Sequence, residues 1–175
     1  MSATMLKTLL AGSAMLLAIS GAAAQPQPAY DLLLRGGHVI DDKNHIDAVM
    51  DVAIKNGRIA QVAANLKPSD AIKTIDVRGL YVTPGLIDLH TQLREPGCEE
   101  DETIETGTAA ALAGGYTSIA CLPETEPPID TPAAVEFVRQ KAARARNCHV
   151  FVVGCVSKNG EGKELAEIGS LVEAG

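Results

Sequence analysis

Aromatic side chains are scarce in this sequence: no tryptophan, two phenylalanines and three tyrosines among 175 residues. No stripe of lysine or arginine runs along it either. Binding of nucleic acid relies on a basic surface, and single strands also need aromatic platforms for the bases, so both requirements go unmet. The formal net charge of -7 points the same way. The four cysteines, Cys98, Cys121, Cys148 and Cys155, include no close pair and no CxxC, which removes a zinc knuckle and a dithiol redox motif. Cysteine in an apolar strand is a small buried hydrophobe, and that is the expectation for them. Beyond residue 24 no apolar run approaches the ~20 residues that cross a bilayer.

What is present begins with a leader. Lys7, the apolar run from Leu9 to Ile19 and Gly21-Ala22-Ala23-Ala24 before Gln25 have the three parts of a secretory signal peptide, with cleavage expected after Ala24. The mature protein is expected to be secreted or periplasmic and free of the membrane. Export also makes disulfides feasible, with Cys121 and Cys155 on neighbouring strands.

Residues 25–82 read as a small β unit. Alternating stretches cover Tyr30 to Arg35, His38 to Ile40, Val49 to Ile54, Arg58 to Ala63 and Thr74 to Val77, and an antiparallel arrangement is expected. Asn56-Gly57 between two alternating runs predicts a two-residue hairpin, because both central positions of that turn take positive φ. Gly36-Gly37 and Asp41 to Asn44 predict further turns. His38 and His45 are expected to be surface or turn residues.

From residue 83 onward the pattern is strand, helix, strand, helix. Strands are expected at Leu86 to Leu89 with a polar extension, at Thr117 to Leu122 and at His149 to Val156. Helices are expected from Glu102 to Leu112, capped by Asp101 or Thr103, from Thr131-Pro132 through Arg146, and from Lys163 to Ala174 with Leu165, Ile168, Leu171 and Val172 facing inward. The acidic run Glu99 to Glu102 reads as a solvated face at a helix start, where anions suit the dipole. Ser157-Lys158-Asn159 follows the third strand without a nucleophile and base pair beside it.

The first of these strands carries the chemistry. In Pro84-Gly85-Leu86-Ile87-Asp88-Leu89-His90-Thr91-Gln92-Leu93-Arg94-Glu95-Pro96-Gly97, strand alternation puts Asp88, His90, Gln92 and Arg94 on one side and Ile87, Leu89 and Leu93 on the other. A polar row in a strand is costly unless it is used, and side chains at i and i+2 at a strand's carboxyl end can grip one metal ion.

This run, continued through "CEEDETIETGTAAALAGGYTSIACLPETEPPIDTP", resembles the first barrel units of dihydroorotase, a cyclic amidohydrolase of the amidohydrolase superfamily. Its pattern there is PG, two hydrophobic residues, then D-x-H-x-H-x-R-E-P-G. The stretch before it resembles the β-sandwich that flanks the barrel across the superfamily. The resemblance implies an α/β fold: the N-terminal part of a (β/α)8 TIM barrel, about three βα units, preceded by a small β-sandwich subdomain. Three units do not close a barrel, so the edge of the third strand and the helix faces are expected to be bare unless another chain covers them, and a homo-oligomer is one such arrangement.

The resemblance also implies one or two zinc ions, with His90 as a ligand and position 92 as the second histidine of the family, here Gln92. An amide oxygen is a far weaker zinc ligand than imidazole, so impaired metal binding is expected. Arg94 matches the residue that grips a substrate carboxylate. Where the family has a substrate-binding Asn after the second strand this chain has Glu124, which is expected to repel an anionic substrate or to neutralise Arg94. The carboxylate that shuttles the proton lies later in the family's chain, so no catalytic residue is expected here. The implied activity is metal-dependent hydrolysis of a cyclic amide or ureide C–N bond in a small molecule. Two alternatives stand beside it: a catalytically inactive dihydroorotase-like subunit with an assembly role, motivated by Gln92 and Glu124, and an exported deacetylase-type amidohydrolase, motivated by the leader and the sandwich sequence.

Overall fold

The computed structural model describes residues 28–175. The expected signal peptide, 1–24, lies outside them. Among the described residues no helix is long and apolar enough to cross a membrane.

The fold is mixed α/β, with one mixed sheet followed by parallel βα units. The first sheet has five strands: β1 (Tyr30–Asp41), β2 (Ile46–Lys55), β3 (Arg58–Ala63), β4 (Ala71–Asp76) and β5 (Tyr81–Val82). They lie in the order β3-β2-β1-β4, with β5 also on β1. Asn56 and Gly57 join β2 to β3 with φ of 51° and 69°, and Lys55 pairs with Arg58, so the hairpin is the expected one. Two expectations are corrected. Gly36-Gly37 does not turn the chain: Gly36 takes φ 74° inside one continuous strand, and its N–H donates to Asp51 Oδ1 at 2.7 Å. The sheet is also not purely antiparallel, because β4 and β5 both run parallel to β1. His45 closes the turn after β1 in the left-handed region, and His38 pairs with Asp47 at 2.5 Å.

Two compact units divide the chain: residues up to Gly36 with Met50–Arg78, and Gly37–Val49 with Gly79–Gly175. In the first, Asp51 is 4% exposed and also accepts from Leu66 N at 2.8 Å. Removing that carboxylate strands two backbone donors. Asp51→Ala is therefore expected to lower stability by about 2 kcal/mol, measured by urea unfolding.

In the second unit, β6 (Leu86–Thr91), β7 (Tyr116–Cys121) and β8 (His149–Val152) form a parallel sheet in that order. They alternate with α1 (Ile104–Ala113), α2 (Pro132–Ala145) and α3 (Ile168–Ala174). Thr103 caps α1 in a reciprocal pair with Thr106, and Thr131 caps α2 ahead of Pro132. The core of this unit joins Leu93, Ile104, Ile119, Cys121, Ile129, Val135, Val138, Ala166 and Leu171. All four cysteines are free, and burial pushes the Cys121 thiol up to about 11.

The third helix starts five residues later than expected. Gly160 and Gly162 take positive φ, and Leu165 forms an antiparallel bridge to Ser157. Of the four residues expected to face inward only Leu171 is buried; Leu165, Ile168 and Val172 are exposed, and Ala166 takes a place in the core instead. Leu86, Ile87 and Leu89 on β6 and Phe151 on β8 are exposed, as expected of edge strands in an open sheet.

Candidate active site

Strand β6 does not carry its polar row as a regular strand would. Between the pairs Asp88↔Ile119 and Thr91↔Cys121 it has one residue more than β7, so a bulge falls at Leu89-His90. Bulges re-aim side chains at the ends of strands, and His90 sits in this one. The half-buried Asp88 folds its carboxylate back to accept the His90 N–H at 2.9 Å, which fixes the bulged backbone. The strand then ends at Thr91, so the expected single row of four is broken. Leu93, grouped by alternation with Ile87 and Leu89, turns instead into the core and is fully buried. Arg94 lies in a left-handed turn with φ 58°.

Gln92 and Glu124 come together. Gln92 Nε2 donates to Glu124 Oε2 at 3.1 Å across the carboxyl ends of β6 and β7. Both side chains are exposed. The two positions that depart from the family's pattern are thus hydrogen-bonded to each other, 32 residues apart in sequence. The Cys155 thiol, three residues past the end of β8, is pushed up by burial first and then by the negative charges of Asp130 and Glu124. The expected neutralisation of Arg94 by Glu124 does not occur: among the described residues Arg94 forms no ion pair, with Glu124, Asp88 or Glu95.

Glu95 is the residue that inspection of the sequence passed over. It is 2% exposed, its Oε2 accepts from the Ile104 N–H at 2.8 Å, and its Oε1 pairs with Lys141 Nζ on α2 at 2.5 Å. One buried carboxylate therefore ties the loop after β6 to the start of α1 and to α2. Nothing in the sequence spacing points Lys141 at residue 95. The neighbouring loops are tied as well. Glu126 N donates to Pro96 O at 2.9 Å, Cys155 N to Ile129 O at 2.7 Å, and Asn159 N to Asp130 Oδ2 at 2.7 Å. Glu99, in the acidic run, accepts from the Gly97 N–H at 3.1 Å, which holds its carboxyl below the usual range.

These residues meet a zinc site only in part. His90 offers the right donor, but Gln92 turns its amide toward Glu124, and among the described residues no three of His, Cys, Asp or Glu are grouped to hold an ion. A cleft of about 480 Å³ lies elsewhere, at the opposite end of β7 and β8, lined by residues including Thr117, Arg146 and His149.

Comparison with known proteins matches this arrangement to one family. A family model described as dihydro-orotase-like matches residues 79–175. The dihydroorotase of Citrifermentans bemidjiense is 46% identical over 145 residues, 83% of this chain and 34% of that protein. The dihydroorotase of Syntrophus aciditrophicus is 46% identical over 146 residues, with the same 34% of its length covered. The chain thus spans about a third of the length of the curated relatives it matches. Among solved structures, the D-hydantoinase (dihydropyrimidinase) from Thermus sp. superposes with a TM-score of 0.59 at 28% identity, covering 81% of this chain and 30% of that one. The L-hydantoinase from Arthrobacter aurescens superposes with a TM-score of 0.66 at 23% identity, covering 73% and 28%, and shares the fold. The motif on β6, the parallel βα units behind it and these matches agree: the chain belongs to the dihydroorotase-like family of amidohydrolases and corresponds to its N-terminal part.

Proposed function

We propose that this chain forms the N-terminal third of a metal-dependent amidohydrolase that opens a cyclic amide or ureide by hydrolysing its C–N bond. The observation that carries this reading is the bulged, Asp88-supported His90 at the carboxyl end of β6, the end of a βα barrel where chemistry is done. His90 would hold zinc, together with ligands that the family draws from later strands. The ion, when bound, supplies an acidified water and polarises the carbonyl, the water's pKa falling from about 15.7 to about 7. The chain's own residues do the rest: Asp88 fixes the backbone that aims the imidazole, and Arg94 and Glu124 orient the ring by its polar edge. The apolar stretch ahead of Gln25 supports export of the enzyme.

Elemental analysis of the full-length gene product, purified with zinc present, tests this. At least one zinc per chain is expected, falling by 10-fold or more in occupancy at limiting zinc for His90→Ala. Absence of stoichiometric metal from the natural protein sinks the reading.

The Gln92–Glu124 hydrogen bond favours a second reading, a catalytically silent subunit that keeps the fold. Substituting Gln92→His and Glu124→Asn together and assaying ring opening separates the two. Activity only in the double variant supports silence, and activity in the natural form removes it.

A further inference from the structure

Arg146 ends α2 in a backbone conformation that suits glycine, with φ 55° and ψ 28°. Any larger side chain is strained there, so an arginine at such a position points to work done by its guanidinium. That side chain lines the cleft of about 480 Å³ at the amino-terminal end of β7 and β8. His149, which opens β8, and Thr117, near the start of β7, line it too, and all three residues are exposed. Among the described residues neither Arg146 nor His149 forms an ion pair. The third cation of the cleft, Arg139, is already engaged: its Nη1 donates to Ala174 O at the end of α3 and lies 3.7 Å from Glu136 Oε2. No carboxylate lines the cleft, in a chain whose net charge is -7. The turn that carries Arg146 and His149 is anchored to α1, because Asn147 Nδ2 between them donates to Thr108 Oγ1 at 3.1 Å and to Glu105 O at 3.2 Å.

We propose that this cleft binds a phosphate group, at the end of the sheet opposite His90. A guanidinium fork grips two oxygens of a phosphate at once, and the imidazole of His149 and the hydroxyl of Thr117 supply donors for the others. Leu112, Ala143 and Val150 make the rest of the lining apolar, and the volume is that of a small-molecule site, so the body of a phosphate monoester has room beside its charged end. A cation at a helix end also suits the dipole, but Arg144 in the last turn of α2 already serves that purpose without a left-handed backbone. The carbonyl ends of α1 and α2 oppose an anion here. Their effect is smaller than that of a direct hydrogen bond to a charged group. The site is independent of the cyclic-amide reading.

The test titrates the full-length gene product by calorimetry, at constant ionic strength, with inorganic phosphate, phenyl phosphate and benzoate. Saturable binding of both phosphates is expected, tighter for the ester, with benzoate weaker than phenyl phosphate by about 10-fold or more. Equal affinity for the two phosphates assigns the site to the free ion and leaves the phosphate site standing. Arg146→Gly should weaken phosphate binding by about 10-fold or more while its thermal midpoint without ligand stays level or rises, because glycine relieves the strained φ. His149→Ala should weaken binding by about 3-fold or more and leave the midpoint unchanged. A structural arginine predicts the opposite pattern, a lower midpoint in Arg146→Gly, and that result overturns the proposal. Binding of neither phosphate, benzoate as tight as phenyl phosphate, or an affinity unmoved by Arg146→Gly overturns it as well.

Discussion

Gly97→Ala is expected to destabilise the βα unit by about 3 to 5 kcal/mol. Gly97 takes φ 111°, outside what L side chains adopt readily. An added Cβ would also fall 2.6 Å from Glu126 Cβ and still closer to the Glu126 carbonyl oxygen, which is backbone and cannot step aside as a flexible side chain can. Both penalties act at the point where the loop after β6 touches the loop after β7. Urea unfolding of the variant measures the loss. Gly169→Ala is the control: it lies inside α3 with no atom within 4 Å of the new Cβ, and it should be neutral or slightly stabilising. A loss under about 1 kcal/mol at Gly97 would show that the two loops are free to part.

Glu95→Ala should cost about 3 kcal/mol. The carboxylate is buried, so its removal leaves the Ile104 N–H at the start of α1 without its acceptor and Lys141 without its partner. The Lys141 side chain is 42% exposed and recovers some hydration, which keeps the figure at the lower end of the range for a broken buried pair. Glu95→Gln retains an acceptor for Ile104 and loses only the charge, so it should cost roughly half as much. Thermal and urea unfolding give the two differences. If the alanine and glutamine variants are equally destabilised, the ion pair to Lys141 and not the helix cap is what matters.

Local chemistry was legible in the sequence wherever one or two residues decide the backbone. Asn56-Gly57 makes its hairpin with both residues at positive φ, and Thr103 and Thr131 cap their helices through side-chain oxygens that accept backbone N–H groups. The motif on β6 was legible for the same reason, as a dense local pattern. What escaped was whatever depends on register or on distant partners. Simple alternation spread Asp88, His90, Gln92 and Arg94 along one face, whereas a bulge set by pairing with β7 breaks that face after Asp88. Of the two expectations for Glu124, neutralising Arg94 is not met, and its carboxylate accepts from Gln92. Parallel pairing of β4 with β1 was missed because alternation says which residues face which side but nothing about strand direction. The late start of α3 follows from a bridge between Ser157 and Leu165, a contact no periodicity announces.

The hydrogen bonds that pass from Glu126 to Pro96, from Cys155 to Ile129 and from Asn159 to Asp130 have a thermodynamic side. Each loop is ordered before any ligand arrives, by a neighbour and not by the ligand. The loops at this end of the sheet are thus held before anything binds, and a ligand there would spend little of its interaction energy on ordering them. Loops ordered in this way relax little to accommodate a misfit, which favours discrimination between ligands over breadth.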